Sequence, residues 1–130
     1  MNIKDYFAGK KGTGVLATAD GQGRVNAAIY ATPHFMADGS LAFVMRERLT
    51  YANLQENAYA TYLFRAEGPR YKGVRLFLKK VAEEADQELI KEMSRRHLSP
   101  EEDVALGPKH LVCFKIEKAL ELVGDGEVGQ

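Results

Sequence analysis

Hydrophobic and polar residues alternate with a period of two along much of this chain. The clearest examples are two segments, Tyr59 to Arg65 and Gly73 to Val81. One side of these segments carries Ala60, Tyr62 and Phe64 in the first and Val74, Leu76 and Leu78 in the second. The other side carries Tyr59, Thr61, Leu63 and Arg65 in the first and Arg75, Phe77 and Lys79 in the second. Alternation of this kind is typical of β-strands with one buried face.

Similar patterns, bounded by turn residues, predict four further strands. They are Val15 to Ala19, Arg24 to Thr32, Ser40 to Met45 and His110 to Val123. The turn sequence Asp20-Gly21-Gln22-Gly23 makes the first two of these an antiparallel hairpin, and Asp38-Gly39 marks a second turn. In the last strand Val112, Phe114 and Ile116 are expected to face the core. The intervening Cys113 is therefore predicted to be an inert thiol on a strand.

Helical spacing is found at the start of the chain and at the crossings between strands. Asn2 is predicted to cap a short helix in which Ile3, Tyr6 and Phe7 share a face, and Thr50 to Asn57 forms a second helix. Asp86 is predicted to cap a third, with Leu89, Ile90, Met93 and His97 on one face and Arg95, Arg96 and His97 near its end. Ser99-Pro100-Glu101-Glu102 matches a capping box and predicts a fourth helix to about Leu106.

Six strands joined mainly by turns, with helices confined to the ends and two crossings, predict an α+β fold built on an antiparallel barrel. A length of 130 residues with 45% hydrophobic residues fits a single domain, residues 1–130. No repeat, linker or second domain is evident in the pattern.

The charge balance limits the classes of partner. The 18 basic residues equal the 18 acidic ones, so we expect no binding to nucleic acid or to an anionic membrane, and any anion site must be local. The start of the chain lacks the apolar core of a signal peptide, and no apolar run reaches membrane-spanning length. The single cysteine agrees with a reducing compartment. These features predict a soluble cytoplasmic protein.

The segment from Arg46 to Leu54 is the strongest candidate for a binding site. It follows the apolar run Leu41 to Met45 and leads into a predicted helix, with Arg46, Arg48 and Thr50 near the helix start. The first turn of a helix has unpaired N–H groups and a positive dipole end, and guanidinium groups match phosphate geometry, so this segment suits a phosphate. The competing interpretation is that Thr50 caps the helix, that Asn53 reaches back to it, and that both arginines are solvated.

The sequence offers no other clear chemistry. The histidines His34, His97 and His110 are widely spaced and lack carboxylate or thiolate companions, so no metal site is predicted. His34 follows Pro33 at the end of the second predicted strand, where a barrel mouth would hold a ligand, although a surface loop is the more ordinary place for it. No covalent catalyst and no catalytic residue can be assigned from spacing.

The order of these motifs resembles the FMN-binding split β-barrels related to pyridoxamine 5'-phosphate oxidase. The resemblance covers most of the chain. Its strongest parts are Gly14-Val15-Leu16-Ala17-Thr18-Ala19-Asp20-Gly21, Gly23-Arg24-Val25-Asn26, the run Leu41 to Leu54, and Asn57-Ala58-Tyr59-Ala60-Thr61. It implies a six-stranded antiparallel split β-barrel with peripheral helices, which binds FMN non-covalently at a homodimer interface.

The resemblance also implies positions for the flavin. Its phosphate would lie between Asn26 and Thr50, held by Arg46, Arg48, Thr50 and Asn53. The ring would lie near Ala27 to Tyr30 and Phe43 to Met45. Tyr71, Lys72 and Arg75, from the loop before the fifth predicted strand, would reach the partner's flavin, unless they are ordinary surface residues.

Departures from the family pattern narrow the implied function. Many members carry a basic residue directly before the hydroxyl residue, where this chain has Leu49. The oxidase carries a basic residue late in its second strand, where this chain has Ala31 and Thr32. The oxidase also has a C-terminal substrate signature that contains Trp and Arg, and this chain contains no Trp. Oxidation of pyridoxamine phosphate is therefore not expected. The implied function is a flavin-dependent oxidoreductase with an unidentified small-molecule substrate or redox partner. The alternatives are a non-catalytic FMN-binding or electron-transfer protein, and a barrel that binds haem, through His34 or His97, or a deazaflavin.

Overall fold

A computed structural model describes residues 2–94 and 99–129. In chain order the elements are α1 (Ile3–Phe7), β1 (Gly12–Ala19), β2 (Val25–Ile29), β3 (His34–Phe35), β4 (Leu41–Arg46), α2 (Leu49–Glu56), β5 (Tyr59–Ala66), β6 (Gly73–Glu84), α3 (Gln87–Met93), α4 (Pro100–Ala105) and β7 (Lys109–Glu121). The α+β class is confirmed. Within the described residues, no helix is long and apolar enough to span a membrane.

The strands form one antiparallel sheet in the order β2-β1-β5-β6-β7-β4-β3, which is not closed by pairing between its two edge strands. The prediction of six strands was wrong, because the sheet has seven. The additional strand, β3, pairs His34 with Ala42 and Phe35 with Leu41. With two residues it is too short to show a period in the sequence. The predicted second strand also ends early, at Ile29 rather than Thr32.

The main core lies on one side of the sheet. The alternation predicted for β5 and β6 is confirmed, since one side of each strand is buried. The largest fully buried side chains include Tyr62, Phe64, Phe114, Leu16, Leu41 and Met45. Phe7 from α1 packs against Phe64 with ring centroids 5.0 Å apart, so α1 closes one end of this core.

A smaller apolar cluster lies behind β4 and β7. Ile90 of α3 is buried there with Ala42, Leu111 and Cys113. Both faces of β7 are therefore buried in this region, whereas only the face of Val112, Phe114 and Ile116 was expected to be buried. Burial raises the pKa of the Cys113 thiol, in agreement with the prediction of an inert residue.

The predicted caps of three helices are confirmed. The Asn2 side chain accepts from Asp5 N, the Asp86 side chain accepts from Glu88 N and Leu89 N, and Ser99 with Glu102 forms the capping box at α4. α3 ends at Met93. Arg95, Arg96 and His97, which were predicted to complete it, lie outside the described residues.

A close contact between β1 and β5 fixes the loop after β2. The hydroxyl of the buried Tyr62 lies within hydrogen-bond distance of two carbonyl oxygens, Tyr30 O at 3.2 Å and Ala31 O at 3.1 Å, and donates to them. A Cβ atom at Gly14 would collide with this hydroxyl. Glycine at position 14 therefore lets Tyr62 reach the loop, which forms one wall of the cavity described below.

Candidate functional site

A cavity of about 440 Å³ opens between β2, the β2–β3 loop, β4 and the start of α2. It is lined by Asn26, Ala28, Ile29, Tyr30, Ala31, Thr32, His34, Phe43, Val44, Arg46, Arg48, Leu49, Thr50, Met93, Ser94 and Lys109. This volume is in the range of small-molecule and cofactor sites. The described lining contains three cationic residues and no carboxylate, so the cavity favours an anionic ligand.

The start of α2 supplies the polar end of this cavity. Arg48 is the N-cap residue, with extended backbone, and no side chain caps the helix. No acidic residue occupies the first turn. The competing interpretation, that Thr50 caps the helix, was wrong, because the helix begins at Leu49 and Thr50 is already inside its first turn. The positive end of the helix dipole is therefore left facing the cavity without a neutralising carboxylate.

Thr50 is joined to β2 by a polar bridge. The Asn26 amide Nδ2 donates to Thr50 Oγ1 at 3.3 Å, so the two residues between which the resemblance places the phosphate meet at the cavity. Tyr30, also on the cavity wall, is packed edge-on against Phe43 with ring centroids 5.7 Å apart. Burial raises the pKa of the Tyr30 phenol, against the opposing effects of a hydrogen bond with Thr50 and the nearby Arg48 charge.

The two arginines of this segment have different surroundings. Arg46 donates from Nη1 to the Asp103 carbonyl at 3.0 Å and to the Gly107 carbonyl, and from Nη2 to Asp103 Oδ1 at 2.6 Å. Within residues 2–94 and 99–129, by contrast, the Arg48 guanidinium has no hydrogen bond or ion pair. Arg48 is therefore the cation that is available to a ligand, whereas Arg46 attaches the α4 region to the sheet.

The wall opposite β2 was not predicted from the sequence. Met93 and Ser94 come from the end of α3, and Lys109 lies directly across from Arg46 in the β4–β7 pair. Lys109 Nζ bonds Ser94 Oγ at 3.2 Å and Asp103 Oδ1 at 3.1 Å. Arg46 and Lys109 hold the pKa of the Asp103 carboxyl below its ordinary value. In the sequence, Lys109 is marked only by its position at the start of a strand. That position indicates a place at the cavity only once the register of β4 and β7 is known.

Two predicted site residues lie away from the cavity. Asn53 is buried, and its Nδ2 donates to Thr18 Oγ1 at 3.1 Å. This bond attaches α2 to β1, so Asn53 supports the helix and does not line the cavity. Ala27 is exposed on the opposite side of β2 from Asn26 and does not line the cavity.

Of the residues predicted near the flavin ring, Ala27 to Tyr30 and Phe43 to Met45, all but Ala27 and the buried Met45 line this cavity. Ala28, Ile29 and Tyr30 form its β2 side, and Phe43 and Val44 form its β4 side. His34 also lines it.

The three basic and aromatic residues assigned to a partner's flavin lie elsewhere on the same chain. Tyr71 is exposed and has the Arg65 guanidinium 4.8 Å above its ring. Lys72 is exposed beside it. Arg75 Nε donates to the Glu121 carbonyl at 3.0 Å, and its Nη2 donates to the Gly124 carbonyl. None of the three lines the cavity of its own chain.

No protein-family model and no curated protein matches the chain. Solved structures do match. HupZ from Group A Streptococcus has 17% identity over 97% of this chain and 95% of its own, with a TM-score of 0.72. An FMN-binding protein from Syntrophomonas wolfei has 20% identity over 90% and 81%, with a TM-score of 0.71. HutZ, the heme storage protein from Vibrio cholerae, has 20% identity over 91% and 90%, with a TM-score of 0.65.

A protein with a split barrel domain from Shewanella frigidimarina also matches, at 13% identity over 91% of this chain and 70% of its own, with a TM-score of 0.54. The structural likeness establishes the fold, but sequence identities this low do not identify the ligand. The sheet order and these likenesses together confirm the fold that the sequence resemblance predicted: the chain has a split-barrel fold.

Proposed function

We propose that this protein binds FMN non-covalently in the 440 Å³ cavity and acts as a flavin-dependent oxidoreductase. The observation that carries the proposal is the combination of an apolar wall with a cationic, uncapped helix start at one end. Arg48 and the first turn of α2 supply positive charge, while Tyr30, Phe43 and Val44 supply apolar surface. An FMN molecule has the same two parts, a phosphate and a flat aromatic ring.

The residues present fit the phosphate group. Arg48 would contact it with a guanidinium that has no competing ion pair among the described residues. The Thr50 hydroxyl and the Asn26 amide, which already bond each other, would add polar contacts. The N–H groups of the first turn of α2 would complete the site. Arg46 and Asn53 would act indirectly, by holding the segment in place.

Bound FMN would supply hydride or electron transfer, and the protein would supply orientation and exclusion of water. Tyr62 would hold the β2–β3 loop carbonyls against one side of the cavity. Met93 and Ser94, attached through Lys109, would cover the other side. A cavity with room beside the ring favours an enzyme over a carrier with an exposed flavin edge.

We further propose that two copies of the chain associate through the outer face of β2, β1 and β5. The register places Ile29 beside Val15 and Val15 beside Leu63, which makes an apolar row on this face. Val25 is 84% exposed and Ile29 is 71% exposed, although both are large apolar residues. Because Ile29 also lines the cavity, a second copy on this face would help to close it. Lys72 of one copy would then approach the flavin of the other.

The proposal is tested by reconstitution. Purified protein is mixed with a slight excess of FMN, free flavin is removed by gel filtration, and the visible spectrum and molar mass are recorded. Retained flavin absorbance at one FMN per chain, in a particle of twice the chain mass, is the expected result. A colourless protein after reconstitution would contradict flavin binding, and a coloured monomer would contradict only the dimer.

Haem is the second candidate, because His34 lines the cavity and HutZ, which shares the fold, is a heme storage protein. A deazaflavin is a third ligand class with a precedent in this fold, since an F420 reductase also matches, at 17% identity and a TM-score of 0.61. The same gel-filtration experiment with hemin distinguishes the haem case: a retained Soret band that is lost in H34A would favour haem. His97, the other candidate axial ligand, lies outside the described residues.

A further inference from the structure

His110 contacts residues on both sides of the proposed phosphate site. Its Nε2 lies 2.7 Å from Glu47 Oε2, and its ring stacks on Tyr51 with centroids 4.4 Å apart at 17°. Glu47 directly precedes Arg48, and Tyr51 directly follows Thr50. Because an ionised carboxylate only accepts hydrogen bonds, Nε2 carries a hydrogen and donates a hydrogen bond to Glu47.

Tyr51 gives the imidazole a fixed surface. The Tyr51 hydroxyl donates to Glu83 Oε1 at 2.7 Å, and this bond raises the pKa of the phenol to about 12. Gln55 and Lys80 donate to the other oxygen of Glu83, at 3.1 Å and 3.0 Å. α2 is thereby attached to β6, and His110 is held between the helix and the turn that precedes it.

Glu47 connects the His110 contact to the anion site. It is the one carboxylate in the sequence from Arg46 to Asn53, and it stands next to Arg48. The Glu47 side chain is 51% exposed, so without His110 it would be free to reach toward the Arg48 guanidinium. A carboxylate there would neutralise the cation and repel a phosphate. The observed bond instead directs Glu47 to β7, while Arg48 lies near Tyr30 on the cavity side.

We propose that His110 is a positioning residue for the anion site: by bonding Glu47, it keeps that carboxylate away from Arg48 and leaves the Arg48 charge available to the phosphate of the ligand. This inference rests on the proposed phosphate contact of Arg48. It does not depend on which ring system the phosphate carries, nor on any catalytic step.

The test compares FMN with riboflavin, which has the same ring and no phosphate, and adds inorganic phosphate as a third probe. The variants are H110F, which keeps a ring to stack on Tyr51 but cannot bond Glu47, E47Q, and the double variant. We expect H110F to weaken FMN and phosphate binding by roughly fivefold and to leave riboflavin binding unchanged. E47Q in the H110F background should restore FMN binding to within about twofold of the wild-type value. H110L, which lacks the ring, is the second histidine variant if H110F does not fold.

Each outcome decides between the inference and the function on which it rests. Equal weakening of FMN and riboflavin, or no rescue by E47Q, would show that His110 acts only through folding and would overturn the inference while FMN binding stands. Weakened and rescued phosphate binding in a protein that retains no FMN would support the inference and overturn the flavin. A wild-type protein that binds neither FMN nor phosphate would overturn both.

Discussion

The Arg46–Thr50 segment and the β5–β6 loop both carry basic residues that the sequence assigned to a flavin, but their surroundings differ. Arg48 and Thr50 lie at an uncapped helix start on a concave cavity, beside an amide from another strand. Tyr71 and Lys72 lie on an exposed loop, and Arg75 is already bonded to carbonyl groups. Basic residues become a binding site where the fold supplies a cavity and leaves their charge without a competing partner.

The largest expected effect comes from removing the available cation. R48A should weaken FMN binding by about 10- to 100-fold, since a charge-assisted contact contributes about 1.5–3 kcal/mol. Its free energy of unfolding should match that of the wild type, because Arg48 makes no ion pair among the described residues. Calorimetric titration and urea denaturation measure the two quantities. The control is R48K, which should recover part of the loss, because lysine keeps the charge but not the planar fork.

R46A should lower the stability of the protein and leave most of its FMN affinity intact, the reverse of R48A. It removes the bonds to Asp103 and Gly107, so the free energy of unfolding should fall by about 1–2 kcal/mol. FMN affinity should change much less than in R48A. If R46A abolished FMN binding in a fully stable protein, the division of roles between the two arginines would be wrong.

The Asn26–Thr50 bridge is expected to contribute less than Arg48. N26A and T50V should each weaken FMN binding by about three- to tenfold, the usual range for a neutral hydrogen bond. Because the two residues share a hydrogen bond, the double variant should lose less than the product of the single losses. Q22A, on the exposed β1–β2 turn, serves as the neutral control.

The β5–β6 loop should matter only across the proposed dimer. K72A should weaken FMN binding by about two- to threefold in the dimer, as expected for an exposed charge. In the V25D/I29D variant, designed to separate the two copies, K72A should have no effect. Sedimentation velocity checks the association state of each variant. An effect of K72A in a monomeric protein would contradict the assignment of Lys72 to the partner's flavin.

The smallest effect concerns pH. The Arg46 guanidinium beside Asp103 holds the pKa of that carboxyl below its ordinary value of about 3.9. Its contribution to stability is therefore present above that value and is lost as the pH falls through the lower pKa of the folded state. D103N should be less stable than wild type near neutral pH, and thermal melts of the two should converge as the pH falls below about 3.9. A constant difference across that range would contradict the ion pair.

Much of the fold could be predicted from the sequence, because its strands are buried on one face and follow turn residues. The alternation in β5 and β6 and the caps of α1, α3 and α4 are local signals, and the structure confirms them. β3 was missed because two residues show no period. The double burial of β7 was missed because it depends on where α3 packs.

The site was predictable only in part, for a similar reason. Arg48 and Thr50 follow a strand directly, so their position at a helix start could be expected. Whether Arg46 or Arg48 keeps its charge available depends on Asp103, which lies 57 residues further along the chain. Asn53 was assigned to the phosphate by family resemblance, but its side chain faces Thr18. Lys109 and Ser94 reach the cavity only through the β4–β7 register and the end of α3.

The central claim is that this cavity recognises FMN by its phosphate. The most direct measurement is a fluorescence titration of the wild-type protein with FMN and, in parallel, with riboflavin. We expect saturable binding of one FMN per chain and at least tenfold weaker binding of riboflavin. Equal affinity for the two flavins, or no binding of either, would contradict it.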